Sequence, residues 1–278
     1  MNPILFAVIV VSAIGILCAL MLVIASKFFS VEEDEKLNKI RECLPGANCG
    51  ACGYAGCDGY AKALAQEEGI KANLCVPGGD AAAKQISDIL GVEFEDVVEQ
   101  VAVVKCYGDC NHTSNKLDYV GIQSCEAVKM FYGGNGHCKF GCIGLGDCVK
   151  VCPNDAICIE NGIAHIDTRK CIGCGLCAKK CPQKIISLID DVENVIVTCS
   201  NTEKGATARQ NCTNACIACK KCEKNCPEGA ISVVDNLARI DYDKCSRCGK
   251  CAQNCPVGCI LLSDFSGIHR FTNDQAEI

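Results

Sequence analysis

The carboxyl-terminal half of the chain repeats one cysteine spacing, C-x2-C-x2-C-x3-C followed by proline. Its three copies are Cys171, Cys174, Cys177 and Cys181; Cys216, Cys219, Cys222 and Cys226; and Cys245, Cys248, Cys251 and Cys255. A shorter element, Cys148-x3-Cys152-Pro153, precedes them. Adding 74 to the positions of eight cysteines from Cys138 to Cys181 gives a cysteine each time, and adding 74 to Cys125 gives Cys199. The sequence therefore contains a tandem duplication of one cysteine-rich unit.

This spacing is the pattern of bacterial ferredoxins that bind two [4Fe-4S] clusters. Three thiolates bind three iron corners of one cluster, and the fourth, before the proline, reaches the neighbouring cluster. Zinc ribbons have isolated C-x2-C pairs at longer separation, and a disulfide framework predicts no repeated proline. We therefore expect two tandem ferredoxin-like units, each with two clusters.

The fourth cysteine of each run binds the neighbouring cluster, an arrangement we call the crossover. It assigns the thiols to sets of four. Two sets are equivalent in the two units: Cys152, Cys171, Cys174 and Cys177; and Cys226, Cys245, Cys248 and Cys251. The second unit also offers Cys216, Cys219, Cys222 and Cys255. In the first unit Leu145 stands where Cys219 would match. The set expected there is Cys138, Cys142, Cys148 and Cys181, and Cys212, which matches Cys138, is a reserve ligand.

A separate cysteine group lies nearer the amino terminus, with the spacing C-x2-C-x4-C-x17-C. Its members are Cys49, Cys52, Cys57 and Cys75. Glycines between them let the backbone turn tightly and direct its amides at the sulfurs. A helix from about Asp58 to Gly69 would return the chain to Cys75. We expect a fifth [4Fe-4S] cluster in this small module, and a four-cysteine zinc site is the alternative.

Several cysteines fit neither spacing. Cys106, Cys110 and Cys125 could form a further site with Cys199 or Cys158, which would raise the cluster count from five to six. Buried free thiols are the alternative. Cys18, Cys43 and Cys259 are expected to be non-ligands.

Turn signals between the cysteine runs predict short hairpins. Asn161-Gly162 separates two short apolar stretches within residues 157–166, and Asp235-Asn236 occupies the equivalent place within residues 231–240. Such dipeptides favour two-residue β-turns. The expected fold class is α+β: an amino-terminal transmembrane helix, a small helical iron–sulfur module and two ferredoxin-like two-cluster units.

Residues 3–25 contain no charged side chain. As a helix rising ~1.5 Å per residue, this stretch can cross a bilayer core of ~30 Å. A cleaved signal peptide, the alternative, has a basic start and a shorter apolar run. Lys27, Lys36, Lys39 and Arg41 follow the stretch, so the positive-inside rule places the rest of the chain in the cytoplasm. We expect a single-pass protein of the cell membrane.

Composition excludes several other classes of protein. A net charge of −6 argues against nucleic acid as a partner, and a hydrophobic content of 49% argues against disorder. The sequence has neither G-x-G-x-x-G after a strand nor G-x-x-x-x-G-K-[ST], so no nucleotide site is visible. No acid/base pair or nucleophile arrangement emerges either. The chain is expected to move electrons without transforming a substrate itself.

The CGACGYAGC segment, which leads to Cys75-Val-Pro-Gly-Gly, and the doubled Cys-Pro motifs resemble the B-subunit family of the Rnf complexes. These are membrane-bound, ion-translocating ferredoxin:NAD⁺ oxidoreductases. The resemblance implies that the chain accepts electrons from soluble ferredoxin and relays them to partner subunits that carry flavin and the NAD site, with Na⁺ or H⁺ translocated elsewhere in the complex. An iron–sulfur subunit of a hydrogenase or formate dehydrogenase, or a cluster-storage protein, is the alternative.

The expected domain organisation follows the same features. Residues 1–26 form the transmembrane anchor, 27–42 a linker, 43–80 the small module, 81–130 a connecting segment, 131–190 the first unit, 191–265 the second unit and 266–278 a tail.

Overall fold

The structure, a computed structural model, describes residues 3–28, 35–67 and 69–263, so the expected tail 266–278 lies outside the described residues. The α-helices are α1 (Pro3–Phe28), α2 (Glu35–Cys43), α3 (Gly56–Gln66), α4 (Gly79–Leu90), α5 (Cys125–Tyr132), α6 (Asp147–Lys150), α7 (Leu176–Lys180), α8 (Gly205–Asn211), α9 (Lys221–Asn225) and α10 (Lys250–Gln253). The strands are β1 (Gln100–Val104), β2 (Ile157–Glu160), β3 (Ile163–Ile166), β4 (Ile186–Asp190), β5 (Val195–Val197), β6 (Ile231–Val234), β7 (Leu237–Ile240) and β8 (Ile260–Leu262). The mixture of helices and strands agrees with the expected α+β class.

The apolar amino-terminal stretch forms one helix, α1. Side chains are described at position 4 and at positions 11–25 of this helix, and nearly all of them are exposed. Val11 and Leu22, for example, are each 70% exposed. Within the described part of the chain, no helix has both the length and the apolar character needed to cross a membrane.

Helices α2, α3 and α4 build the small module around a shared apolar core. Ile40, Tyr60 and Ile86 are completely buried there, one from each helix. The Tyr60 hydroxyl donates a hydrogen bond to the Lys71 carbonyl at 2.7 Å, which fixes the chain that returns from α3 to Cys75. The predicted helix near Asp58 is confirmed; α3 begins two residues earlier, at Gly56.

Each ferredoxin-like unit contains two antiparallel strand pairs. The hairpins β2–β3 and β6–β7 have the predicted registers, Ile157 opposite Ile166 and Ile231 opposite Ile240. Asn161 has φ 49° and Gly162 has φ 81°, the left-handed geometry that a tight two-residue turn requires. The second pair in each unit joins its first strand to its last, β1 with β4 and β5 with β8. The strand β1 comes from the segment before residue 131, which therefore contributes to the first unit.

The strand registers identify which residues of the two units correspond. Val104 ends β1 opposite Ile186, and Val197 ends β5 opposite Ile260. Cys106 and Cys199 each follow two residues after these strand ends, so they occupy equivalent places. The offset of 74 between Cys125 and Cys199 does not reflect structural equivalence, because the chain between β1 and the first cysteine run is longer than its counterpart after β5.

The two units join where β1 and β5 end. The Tyr107 amide donates to the Thr198 carbonyl at 3.1 Å, and the Ser200 hydroxyl donates to the Lys105 carbonyl at 2.8 Å. The Thr113 hydroxyl donates to the Asn211 carbonyl at 2.6 Å. One backbone amide and two hydroxyl groups therefore connect the units at this junction by donating hydrogen bonds to backbone carbonyls.

Candidate iron–sulfur sites

The small module gathers its four cysteines around one cavity. Cys49, Cys52, Cys57 and Cys75 all line it, together with Tyr60. The Cys57 amide donates to the Asn48 side-chain oxygen at 2.9 Å, which fixes the loop at the start of α3. Burial raises the pKa of Cys75 to about 11, and the neighbouring thiolates add to the increase. The structure therefore places these cysteines together as the spacing predicts.

In the first unit, four thiols from the crossover pattern line a second cavity. They are Cys152, Cys171, Cys174 and Cys177. Backbone amides approach two of the sulfurs: Ala156 donates to Cys152 at 3.3 Å and Ala102 donates to Cys171 at 3.4 Å. Backbone N–H donors are the usual outer partners of cluster-binding sulfurs.

In the second unit the structure brings members of both predicted groups together. Cys222 lies close enough to Cys216, Cys219 and Cys255 for their charges to interact. Cys251 lies near Cys226 and Cys245 in the same way. Cys219 and Cys248 are exposed. Each group of the second unit therefore has one cysteine that is exposed to solvent.

The remaining site of the first unit differs from the predicted set. Its cavity is lined by Cys125, Cys142, Cys148 and Cys181, without Cys138. Burial, followed by the charges of Cys125 and Cys181, raises the pKa of Cys148 to about 12. Leu145 stands at the position that matches Cys219 and offers no thiol. Cys125 supplies the fourth thiol of this site instead.

Helix α5 brings Cys125 to this cavity. The Ser124 side chain caps the helix by accepting a hydrogen bond from the Ala127 amide at 3.4 Å. The buried Asp147 carboxylate accepts from the Ser124 hydroxyl at 2.9 Å and from the Glu126 amide at 3.0 Å. Cys125 also packs in an apolar cluster with Leu145 at its edge. Sequence spacing missed this residue because Cys125 reaches the site through tertiary contacts and not through a local run.

Cys138 lies at a different cavity, between the two units. The other cysteines that line this cavity are Cys106, Cys110, Cys142, Cys199 and Cys212. Cys138 shares this cavity with Cys142, whereas Cys148 and Cys181 line the cavity with Cys125, so the structure does not bring the expected set of four together in one cavity. Cys106 and Cys125, which the sequence placed in one additional site with Cys110, line separate cavities.

The other cysteines lie outside these groups or at their edges. The Cys43 thiol donates to the Lys39 carbonyl at 3.2 Å, Cys18 is exposed in α1, and Cys158 lies in β2. The sulfur of Cys259 lies 3.6 Å from that of Cys255. The assignment of Cys18, Cys43 and Cys259 as non-ligands stays a prediction.

The donor chemistry of the thiol groups fits iron–sulfur clusters. Burial raises the pKa of Cys142 and Cys177 to about 12 each, so isolated thiols there stay protonated at neutral pH. Metal ligation needs the thiolate, and several buried thiolates coexist only around a positively charged core. Among the described residues, no group of three or more histidine, cysteine, aspartate or glutamate side chains is arranged to hold a single metal ion.

Three family models match segments of the chain. One described as "Putative Fe-S cluster" matches residues 44–77, a 4Fe-4S binding domain matches residues 164–187, and a 4Fe-4S dicluster domain matches residues 215–259. These matches cover the small module and parts of both ferredoxin-like units. The chain is therefore an iron–sulfur protein of the [4Fe-4S] type.

Similar proteins identify the family. The B subunit of the Na⁺-translocating ferredoxin:NAD⁺ oxidoreductase complex of Acetobacterium woodii is 41% identical over 88% of this chain and 74% of its own length. The chain belongs to the B-subunit family of the ion-translocating ferredoxin:NAD⁺ oxidoreductases, the Rnf complexes. The B subunit of the proton-translocating complex of Clostridium ljungdahlii is 40% identical over 88% of this chain and 87% of its own length. Because these two relatives are named for different ions, similarity between B subunits does not select the coupling ion.

A shorter relative aligns with only part of the chain. The B subunit of the ion-translocating oxidoreductase complex of Aeromonas hydrophila is 34% identical over 56% of this chain and 70% of its own length. All three relatives are named as subunits of ion-translocating complexes, and none as part of a hydrogenase or a formate dehydrogenase.

The placement of Cys125 gives a direct prediction. Replacing Cys125 by alanine should remove the cluster otherwise held by Cys142, Cys148 and Cys181, a loss of about four irons and four sulfides. Iron and sulfide analysis of anaerobically purified protein measures the loss. Cys158→Ala in the same unit is the matched control and should keep the full content. Retention of every cluster in Cys125→Ala would return the site to the predicted set with Cys138.

Proposed function

We propose that this chain is a membrane-anchored electron-transfer subunit of an Rnf-type complex. It accepts electrons from reduced soluble ferredoxin and passes them through [4Fe-4S] clusters to partner subunits that bear flavin and NAD. Five clusters would be held by five sets of four cysteines. One set is in the small module, one includes Cys125, and three are the sets predicted from the crossover spacing: the one that begins with Cys152, the one that begins with Cys216 and the one that begins with Cys226. Each of these clusters supplies a one-electron carrier.

The observation that carries this proposal is the close spacing in space between one thiol group and the next. Cys49 of the module and Cys174 of the first unit lie near enough for their charges to interact. Cys148 and Cys177, from the two sites of the first unit, do so as well. Electron tunnelling weakens exponentially with distance, so closely spaced sites suit a relay. A storage protein has no need for sites in series.

Specific contacts fasten the small module to the first unit. The Lys179 ammonium donates to the Cys49 carbonyl at 2.6 Å. Gly173 packs so tightly that a Cβ atom there would lie 2.8 Å from the Val76 side chain. The module and the adjoining site are therefore held at a fixed separation, as electron transfer between them requires.

The two ends of the molecule suit different partners. In the second unit, exposed Cys219 and Cys248 are followed by exposed Lys220, Lys221 and Lys250. Positive side chains around exposed sulfurs favour rapid association with an acidic redox protein. We place the ferredoxin contact here, and the contact with the membrane-bound partners at the module, which follows α1 in the chain.

In this proposal α1 anchors the protein in the cell membrane and the iron–sulfur part faces the cytoplasm. Its described side chains are almost entirely apolar and exposed, as lipid contact requires. Clusters and reduced thiols persist in the cytoplasm, whereas an oxidising compartment drives thiols to disulfides. Soluble ferredoxin is also met there.

Deletion of residues 1–28 tests the anchor and the electron relay together. The shortened protein should be soluble, keep its clusters and still oxidise reduced ferredoxin, because every proposed ligand lies beyond α1. It should fail to restore ferredoxin-dependent NAD⁺ reduction to membranes that lack this subunit. Absorbance changes of ferredoxin and NADH formation measure the two activities.

The full-length protein is the control, and a reporter fused after Ile278 tests the compartment. A reporter active only in the cytoplasm should be active, and one active only outside it should not. Membrane-bound behaviour of the shortened protein would overturn the anchor. Slow or absent reduction of its clusters by ferredoxin would overturn the relay.

A further inference from the structure

A large cavity of about 400 Å³ lies at the junction of the two ferredoxin-like units. Four of the thiols that line it come in equal numbers from the two units. Cys106 and Cys138 belong to the first, and Cys199 and Cys212 to the second. All four lie outside the segments 44–77, 164–187 and 215–259 that match iron–sulfur family models. No site described so far uses these thiols.

The four thiols form two equivalent pairs. Cys106 and Cys199 both follow the end of a unit's first strand by two residues. The Cys106 sulfur accepts a hydrogen bond from the Cys142 amide at 3.3 Å, and the Cys199 sulfur accepts one from the Cys216 amide at 3.3 Å. Cys138 and Cys212 are separated by the repeat offset of 74. The duplication thus brings two copies of one thiol pair to a common cavity.

The surroundings of these sulfurs resemble those of a cluster site. Asn201 is completely buried. Its backbone amide donates to the Cys199 sulfur at 3.4 Å and its side-chain amide to the Cys138 sulfur at 3.6 Å. Gly108 leaves room beside two of the thiols, because a Cβ atom there would lie 3.0 Å from the Cys212 sulfur and 3.9 Å from the Cys106 sulfur. Buried N–H donors and free volume next to thiols are what a sulfur-ligated cluster needs.

We propose that Cys106, Cys138, Cys199 and Cys212 hold a sixth [4Fe-4S] cluster, two ligands from each unit. Cys110 and Cys142 also line the cavity, but Cys110 is exposed and Cys142 lies in the neighbouring group with Cys125 as well. The hydrogen bonds to Cys142 and Cys216 place this cluster between one site of each unit. An electron that moves from the second unit to the first passes it. This electron path rests on the proposed function, whereas the ligand assignment does not.

Iron analysis of the full chain tests the ligand assignment. Anaerobically reconstituted protein should contain about 24 irons and 24 sulfides, four of each per cluster. Cys199→Ala should contain about 20 of each, and Cys110→Ala, the control from the same cavity, should keep about 24. The double variant Cys106→Ala/Cys199→Ala should lose no more than Cys199→Ala, because both residues serve one cluster.

Circular dichroism and the electron paramagnetic resonance signals of the other five clusters check that the variants fold. A wild-type content near 20 irons with no loss in folded Cys199→Ala overturns the assignment. So does a loss in Cys110→Ala. If Cys199→Ala does not fold, Cys106→Ala gives the decision, since Cys106 is the equivalent ligand from the other unit and its loss should remove the same cluster.

Rapid mixing with reduced ferredoxin tests the electron path separately. In Cys199→Ala the second-unit clusters should be reduced as fast as in the wild type, whereas the first-unit and module clusters should be reduced at least about tenfold more slowly. If all clusters of Cys199→Ala were reduced as fast as those of the wild type, the proposed electron path would be wrong, whereas the ligand assignment would still stand. If ferredoxin reduces no cluster even in the wild type, the proposed function fails and the iron count still decides the site.

Discussion

Cys251→Ala is expected to abolish ferredoxin oxidation by the isolated protein, whereas Cys75→Ala is expected to leave that reaction intact and abolish NAD⁺ reduction in membranes. Each variant loses one cluster, about four irons. Cys251 shares its proposed site with the exposed Cys248, which is followed by the exposed Lys250 and lies where ferredoxin is proposed to bind. Cys75 belongs to the module at the opposite end of the series, so its cluster is needed only to deliver electrons onward.

Two assays separate these outcomes. Ferredoxin oxidation is followed by rapid mixing with purified protein, and NADH formation is followed in membranes complemented with each variant. Cys43→Ala is the matched control, because Cys43 packs at the edge of the module core without lining the cavity. It should leave both rates unchanged. The reverse pattern, with Cys75→Ala blocking ferredoxin oxidation and Cys251→Ala sparing it, would place the donor at the module.

Gly205→Ala should destabilise the second unit, and Gly59→Ala should stabilise the module slightly. Both glycines lie in helices, α8 and α3. A Cβ atom at Gly205 would lie 3.0 Å from the Ile217 carbonyl carbon and closer still to its oxygen, whereas the nearest atom to a Cβ at Gly59 lies 3.7 Å away. Overpacking of this kind typically costs about 1–3 kcal/mol. Alanine in an open helical position instead contributes roughly 0.5–1 kcal/mol to stability.

Thermal unfolding of the cluster-loaded protein, followed by circular dichroism and visible absorbance, measures both effects. The midpoint should fall for Gly205→Ala, and visible absorbance should be lost at the lower temperature, since Ile217 lies between two proposed ligands of the second unit. Gly59→Ala should raise the midpoint or leave it unchanged. An unchanged midpoint for Gly205→Ala would contradict the tight contact between α8 and this loop.

Local patterns predicted those features whose cause is local. The Asn161-Gly162 turn fixed the register of its hairpin, because both residues tolerate the left-handed backbone that the turn demands. The crossover spacing grouped Cys152 with Cys171, Cys174 and Cys177. The last three belong to one short run, so their proximity is a local property of the chain. The helix of α1 followed from an uninterrupted apolar stretch.

Non-local contacts explain what the sequence could not show. Cys125 precedes Cys142 by 17 residues and reaches its cavity because Asp147 holds the start of α5. The repeat offset of 74 relates Cys138 to Cys212. That the two residues line one cavity follows from the packing of the units against each other, which no cysteine spacing can indicate. A coincidence of numbering also paired Cys125 with Cys199. Strand register alone shows that Cys106 is the true counterpart.

Each unit begins and ends with strands that pair with each other, β1 with β4 and β5 with β8. The two chain ends of a unit therefore meet at one edge, and only residues 191–194 separate β4 from β5. Such a cassette can be inserted or lost during evolution at a single point without rerouting the rest of the chain. Gene duplication could thus lengthen an existing electron path by a whole ferredoxin-like unit in one step.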